Sequence, residues 1–92
     1  MTIGLIFENP GITRAQYDEI RHALHPDNSL SPGMLFHAAG AGENGWRVIE
    51  VWESQEAAER YFQETLRPAL QQANVPTTIR PQAYSVHNIL QR

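Results

Sequence analysis

The chain contains no cysteine and no lysine. The first absence removes disulfides, thiolate nucleophiles and zinc–thiolate sites together. The second leaves seven arginines, spread along the chain, against ten acidic residues and a net charge of -3. A surface of that sign without a basic cluster is a poor track for phosphates, so no nucleic-acid partner is expected. Long apolar runs are missing too. Met1 to Phe7 is apolar, but Glu8, Asn9, Pro10 and Gly11 end it, and no basic stretch precedes it. It reads as neither a signal peptide nor a membrane span, which needs about 20 apolar residues. These absences lead us to expect a cytoplasmic protein with no membrane partner. There is also no Gly-rich phosphate loop, no G-x-S-x-G elbow, no H-E-x-x-H and no dinucleotide fingerprint.

What is present suits a globular protein: 92 residues, 41% hydrophobic and 18% charged. That length predicts one domain over residues 1–92, with a real core but little surplus. Thr2 to Phe7 is apolar on both faces, which predicts a central strand. Asn9-Pro10-Gly11 breaks it. Thr13 and Gln16 have capping-box spacing, and Tyr17, Ile20 and Leu24 recur at helical spacing until Pro26 and Asp27. Met34 to Ala39 and Trp46 to Glu53 predict a hairpin around Asn44-Gly45, the strongest short turn signal. Ser54 is a good N-cap for a second helix carrying Ala58, Phe62 and Leu66. Pro68 should break or kink that helix and start a short turn through Leu70 to Ala73. Asn74-Val75-Pro76 reads as loop. A last strand is expected from Thr77 or Thr78 to Leu90, with Pro81 marking an edge or a bulge.

The order strand, helix, strand, strand, helix, strand is the α+β, ferredoxin-like βαββαβ pattern. Its four-stranded antiparallel sheet, ordered 4-1-3-2, carries both helices on one face. The other face then needs cover, because the strands do not alternate cleanly: Met34, Phe36, Ile49 and Val51 point away from the helices. An exposed patch of that kind is rare in monomers. A homodimer, sheet against sheet through that face, is the simplest solution.

The hairpin also places the candidate chemistry. With Asn44-Gly45 at the turn centre, Glu43 opposes Trp46, Ala39 opposes Glu50 and His37 opposes Trp52. A four-residue connection would instead pair His37 with Glu50 and keep the same face, whereas a one-residue bulge would break the argument. Either way His37, Glu50 and Trp52 lie together under the helices. A histidine titrating near neutrality can move a proton, a carboxylate can orient it, and an indole offers a wall and an N–H. The bland alternative is a half-buried sheet with one satisfied His–Glu hydrogen bond. A cavity beside His37 favours catalysis; a space filled by side chains favours simple packing. His22 and His25 are three residues apart, but no carboxylate motif completes a metal site. His25 is expected at a frayed helix end and His22 in solvent. His87 sits on the expected last strand, with either an interface or a catalytic role open. Tyr61 and Tyr84 read first as core or rim, and Arg47 as a sheet-face cation.

The segment Trp46-Arg47-Val48-Ile49-Glu50-Val51-Trp52-Glu53-Ser54, leading into Gln55-Glu56-Ala57-Ala58, resembles the dimeric α/β barrel superfamily, and within it the antibiotic biosynthesis monooxygenase type. The resemblance implies a dimer whose sheets form a barrel, with a pocket between sheet and helices in each subunit. It further implies oxidation of small aromatic or quinol-type substrates by O₂ with no cofactor. On that reading His37 is the base, Glu50 orients it, and Trp52, Asn9 and Tyr84 contact substrate. Haem-degrading relatives carry a histidine where this chain has Leu66-Arg67-Pro68-Ala69-Leu70-Gln71, which argues against haem. The rival is a non-catalytic dimeric module that binds a small apolar molecule or a protein.

Overall fold

The structure is a computed structural model that describes residues 1–43, 45–75 and 80–91. Strand β1 (Ile3–Asn9) leads to helix α1 (Arg14–Leu24). Strands β2 (Met34–Gly42) and β3 (Gly45–Trp52) follow, and then helix α2 (Gln55–Tyr61). A π-helical turn (Phe62–Leu66) joins α2 to helix α3 (Arg67–Gln72), and strand β4 (Gln82–Ser85) completes the order. The four strands form one antiparallel sheet in the order β2-β3-β1-β4. This is the ferredoxin-like arrangement expected from the sequence, with β1 central and β4 at an edge.

Local chemistry sets the helix starts. The Thr13 hydroxyl accepts from the Gln16 N–H, and the Gln16 side chain accepts from the Thr13 N–H, so both halves of the capping box form. Ser54 Oγ accepts from the Ala57 N–H and opens α2. Pro68 opens a further short helix, as expected, and the helical path is not broken before it. The π turn absorbs the proline: the Arg67 N–H bonds back to the Phe62 carbonyl, five residues earlier. Pro68 then sits in the first turn of α3, where a missing N–H costs nothing.

Ile3, Leu5, Phe7 and Asn9 oppose Trp52, Glu50, Val48 and Trp46, so these eight share the helix-side face. On it Met34, Trp52, Ala58 and Tyr61 form one buried cluster, and Ile20, Leu70 and Val75 form a second. Two expectations change on this sheet. The β2–β3 ladder slips between Met34 and Phe36, so Met34 opposes Trp52 while Phe36 opposes Val51. Met34 is therefore buried under the helices and leaves the outer face to Ile6, Phe36, Ile49 and Val51. The expected strand from Thr77 or Thr78 to Leu90 contracts to Gln82–Ser85. Ser85 already pairs with Ile3 and the Val86 N–H donates to the Thr2 carbonyl, so β1 offers no further partner. His87 accordingly lies beyond the strand. Pro76, Thr77 and Thr78 lie outside the described residues, as does Asn44 of the expected turn.

Gly42 pairs with Gly45, so the hairpin turns one residue earlier than expected and His37 opposes Glu50 directly. Gly45 has φ of 112°, and a Cβ there would run into the Pro10 Cα and lie 2.8 Å from the Asn9 carbonyl oxygen. Neither backbone atom can swing aside as a side-chain tip could. The Gly45→Ala variant should therefore lose about 2 kcal/mol or more of stability, read as a lower urea midpoint. A wild-type midpoint would show that the β1 turn and the hairpin are not locked together.

Candidate active site

The β3 pleat aims Glu50 and Trp52 to the same side, and the β2 register sets His37 across from Glu50. Glu50 is 5% exposed and Trp52 is fully buried. The Trp52 indole N–H donates to Glu50 Oε1 at 3.0 Å. His37 Nδ1 lies 3.1 Å from Glu50 Oε2. An ionised carboxylate only accepts, so Nδ1 carries the hydrogen and the neutral ring's lone pair is on Nε2. That nitrogen receives the Tyr17 hydroxyl at 2.6 Å. The result is one unbroken series, Trp52–Glu50–His37–Tyr17, running from the core to a cavity. Burial pushes the Tyr17 phenol above the ordinary tyrosine range, with Arg21 opposing the shift.

The cavity encloses about 80 Å³, and its walls include Asn9, Tyr17, Arg21, His37, Trp46 and Glu50. Phe7, Ile20, Leu66 and Leu70 give it an apolar lining. The Trp46 ring packs 5.2 Å from Tyr17, centroid to centroid, and its buried indole N–H has no acceptor among the described residues.

A second imidazole stands opposite. The His25 ring centroid is 6.0 Å from that of His37. His25 Nδ1 lies 2.9 Å from the Ser29 carbonyl, so it donates there, and Nε2 accepts the Tyr61 hydroxyl at 3.1 Å. Burial pushes His25 below the ordinary histidine range, with the Ser29 carbonyl partly opposing. Burial also drives the Tyr61 phenol far up, and Glu50 adds to the effect.

The structure thus brings His37, Glu50 and Trp52 together as the hairpin argument required, and places Asn9 on the cavity wall. It does not bring Tyr84 there. Tyr84 pairs with Gly4, and a Cβ on Gly4 would strike the Tyr84 ring, so that ring lies over the outer sheet face. Trp52 is not a wall of the cavity either; its indole holds Glu50, and Trp46 supplies the aromatic wall. Tyr17 and His25 were not singled out by sequence reasoning. Tyr17 read as one apolar residue of the α1 stripe, and His25 as a frayed end. The available signal was that stripe itself: if α1 covers the His37 face, any hydroxyl on its inner side can reach the ring. Among the described residues, no group of three or more His, Cys, Asp or Glu could hold a metal ion. None of the described helices is long and apolar enough to cross a membrane.

No family model matches the chain, and no curated protein matches it. Solved structures do. A protein from Chloroflexus aurantiacus assigned as an antibiotic biosynthesis monooxygenase superposes with a TM-score of 0.69 at 14% identity, covering 99% of this chain and 98% of that one. The chain has the fold of the antibiotic biosynthesis monooxygenase-like proteins. A variant of SnoaB, a cofactor-independent oxygenase from Streptomyces nogalater, matches with a TM-score of 0.62 at 16% identity, covering 99% and 96%. A dimeric ferredoxin-like protein of unknown function from Thermobifida fusca matches with a TM-score of 0.61 at 20% identity, covering 94% and 92%.

Because burial lowers the His25 pKa in the folded chain, the unfolded chain binds more protons than the folded one as pH falls through the ordinary histidine value of 6.5. Wild type should therefore lose stability relative to His25→Gln between about pH 7.5 and about pH 5. Urea unfolding of both proteins across that range checks this, and parallel curves would refute it.

Proposed function

We propose that this protein is a cofactor-independent monooxygenase acting on a small aromatic or quinol-type substrate. The observation that carries the reading is the hydrogen-bonded series ending at the cavity. Glu50 fixes His37 in the tautomer whose Nε2 is a base, and Tyr17 stands between that base and the cavity. A substrate hydroxyl placed against Tyr17 Oη gives it a proton as Tyr17 passes its own to His37. The imidazolium that forms is paired with Glu50. Burial keeps Tyr17 protonated at rest, so it acts as a relay and not as a stored tyrosinate.

The deprotonated ring is electron-rich and can reduce O₂ itself. Where the ring carbon para to the ionised hydroxyl carries one hydrogen, one electron passes to O₂ and the radical pair closes a C–O bond at that carbon while the oxyanion becomes a carbonyl. The peroxide O–O bond then breaks as the C–H bond on the same carbon is lost: one oxygen stays as the new carbonyl, and the other leaves as water with that hydrogen and the proton returned by the imidazolium. All four electrons come from substrate. The protein supplies a base, an orienting carboxylate and a cavity with a largely apolar lining. The fold shared with SnoaB supports this reading.

His37→Ala should lower O₂ consumption on quinols and anthrones by about 10²-fold or more, and Tyr17→Phe should lower it by less. An oxygen electrode measures both. Equal rates for His37→Ala and wild type would remove His37 from the mechanism. No turnover on a broad panel would favour a non-catalytic binding module.

The same reading includes a homodimer. Phe36 and Tyr84 are 39% and 46% exposed on the outer sheet face beside Ile49, a surface suited to a second copy. The Thermobifida fusca neighbour is described as dimeric. Light scattering at micromolar concentration should give twice the chain mass of 10.4 kDa, and a 10.4 kDa species would overturn the dimer.

A further inference from the structure

Arg21 lies one turn beyond Tyr17 on the same face of α1 and is half-buried. Its Nη1 donates to Asn28 Oδ1 at 2.6 Å and to the His25 carbonyl at 3.4 Å. Both acceptors are neutral. The other guanidinium N–H groups donate to no described residue, and no described carboxylate forms an ion pair with Arg21. A cation drawn partly out of water with no counter-charge is unfavourable unless an anion arrives to meet it.

The surroundings give that anion a place. Arg21 borders the catalytic cavity and also a neighbouring recess of about 250 Å³. The recess is lined by Asn28, Ser29 and Met34, and shares Arg21, His25 and His37 with the cavity. Position in the last turn of α1, where a cation complements the helix dipole, accounts for the bond to the His25 carbonyl. It does not account for the remaining donors at a recess wall.

We propose that the substrate carries a carboxylate as well as a reactive hydroxyl, and that Arg21 binds the carboxylate in this recess while the hydroxylated ring reaches Tyr17 and His37. The inference rests on the preceding reading of the Tyr17–His37 cavity as a substrate site. The free edge of the guanidinium suits a two-point carboxylate contact, and Asn28 holds its other side in place. Arg21 is then a specificity-determining residue: it selects hydroxyaromatic acids over their neutral counterparts and orients them with the hydroxyl inward.

The test uses calorimetric titration of the full chain with para-hydroxyphenylacetate and a hydroxynaphthoate, each against its primary amide. Wild type should bind each acid about tenfold or more tightly than its amide. Arg21→Gln should erase that preference while leaving amide affinity within about twofold, and Arg21→Lys should retain part of it. Circular dichroism melts confirm that both variants fold. Equal affinity for acid and amide in wild type, or a preference that survives Arg21→Gln, overturns the proposal and leaves the cavity as a site for neutral phenols. Failure of every ligand to bind counts against both this proposal and the substrate site on which it rests.

Discussion

The structure depends on one buried charge. Glu50 sits in the middle of β3, paired with Leu5 on one side and His37 on the other, where water scarcely reaches. A carboxylate there is tolerable only when its oxygens are occupied, and each has a donor: the Trp52 indole on Oε1 and the His37 ring on Oε2. Much of the local architecture follows. Trp52 is fixed by the bond and in turn anchors the cluster with Met34 and Tyr61. His37 has its tautomer decided by the same carboxylate, and its free lone pair then organises Tyr17 on a different element. A packing indole, a carboxylate, an imidazole and a phenol are thus set in order by one satisfied anion.

Much of this was legible in the sequence, and particular residues show why. The Thr13–Gln16 box and the Ser54 cap are local chemistry and formed as written. The side chains of His37, Glu50 and Trp52 could be assigned to one face because pleat parity survives an error of two in summed register. The hairpin turned one residue early, and the face did not change. The slip at Leu35 shows the limit. It moved Met34 from the outer face to the core, and nothing in Met34-Leu35-Phe36 signals a bulge, because all three residues are equally content on either side. It lies beyond His37, so the site was spared.

The parts that sequence did not give were those made by distant elements meeting. Whether Tyr17 packs, or bonds His37, depends on how far α1 slides across the sheet, and no spacing along the chain encodes that distance. His25 was misjudged for the same reason: a residue next to Pro26 reads as a helix end, and only the approach of α2 with Tyr61 makes that end an interior. Tyr84 erred in the opposite direction. Its place on the outer face follows from pairing with Gly4, whose missing side chain leaves room for the ring.

The π turn after α2 has a consequence for how the molecule divides its interior. Before the turn, Tyr61 belongs to the cluster on the sheet; after it, Leu70 belongs to the cluster against α1, and Leu66 touches both. One extra residue in a helical turn thus rotates a single helical path from one neighbour to another. Two small clusters cannot close on each other as tightly as one large one, and the gap between them is where Tyr61, Leu66 and Leu70 border open space. The cavity is in this sense a seam. A helix that kept regular winding would have stitched it shut, and the irregular turn keeps it open without removing a single side chain from the core.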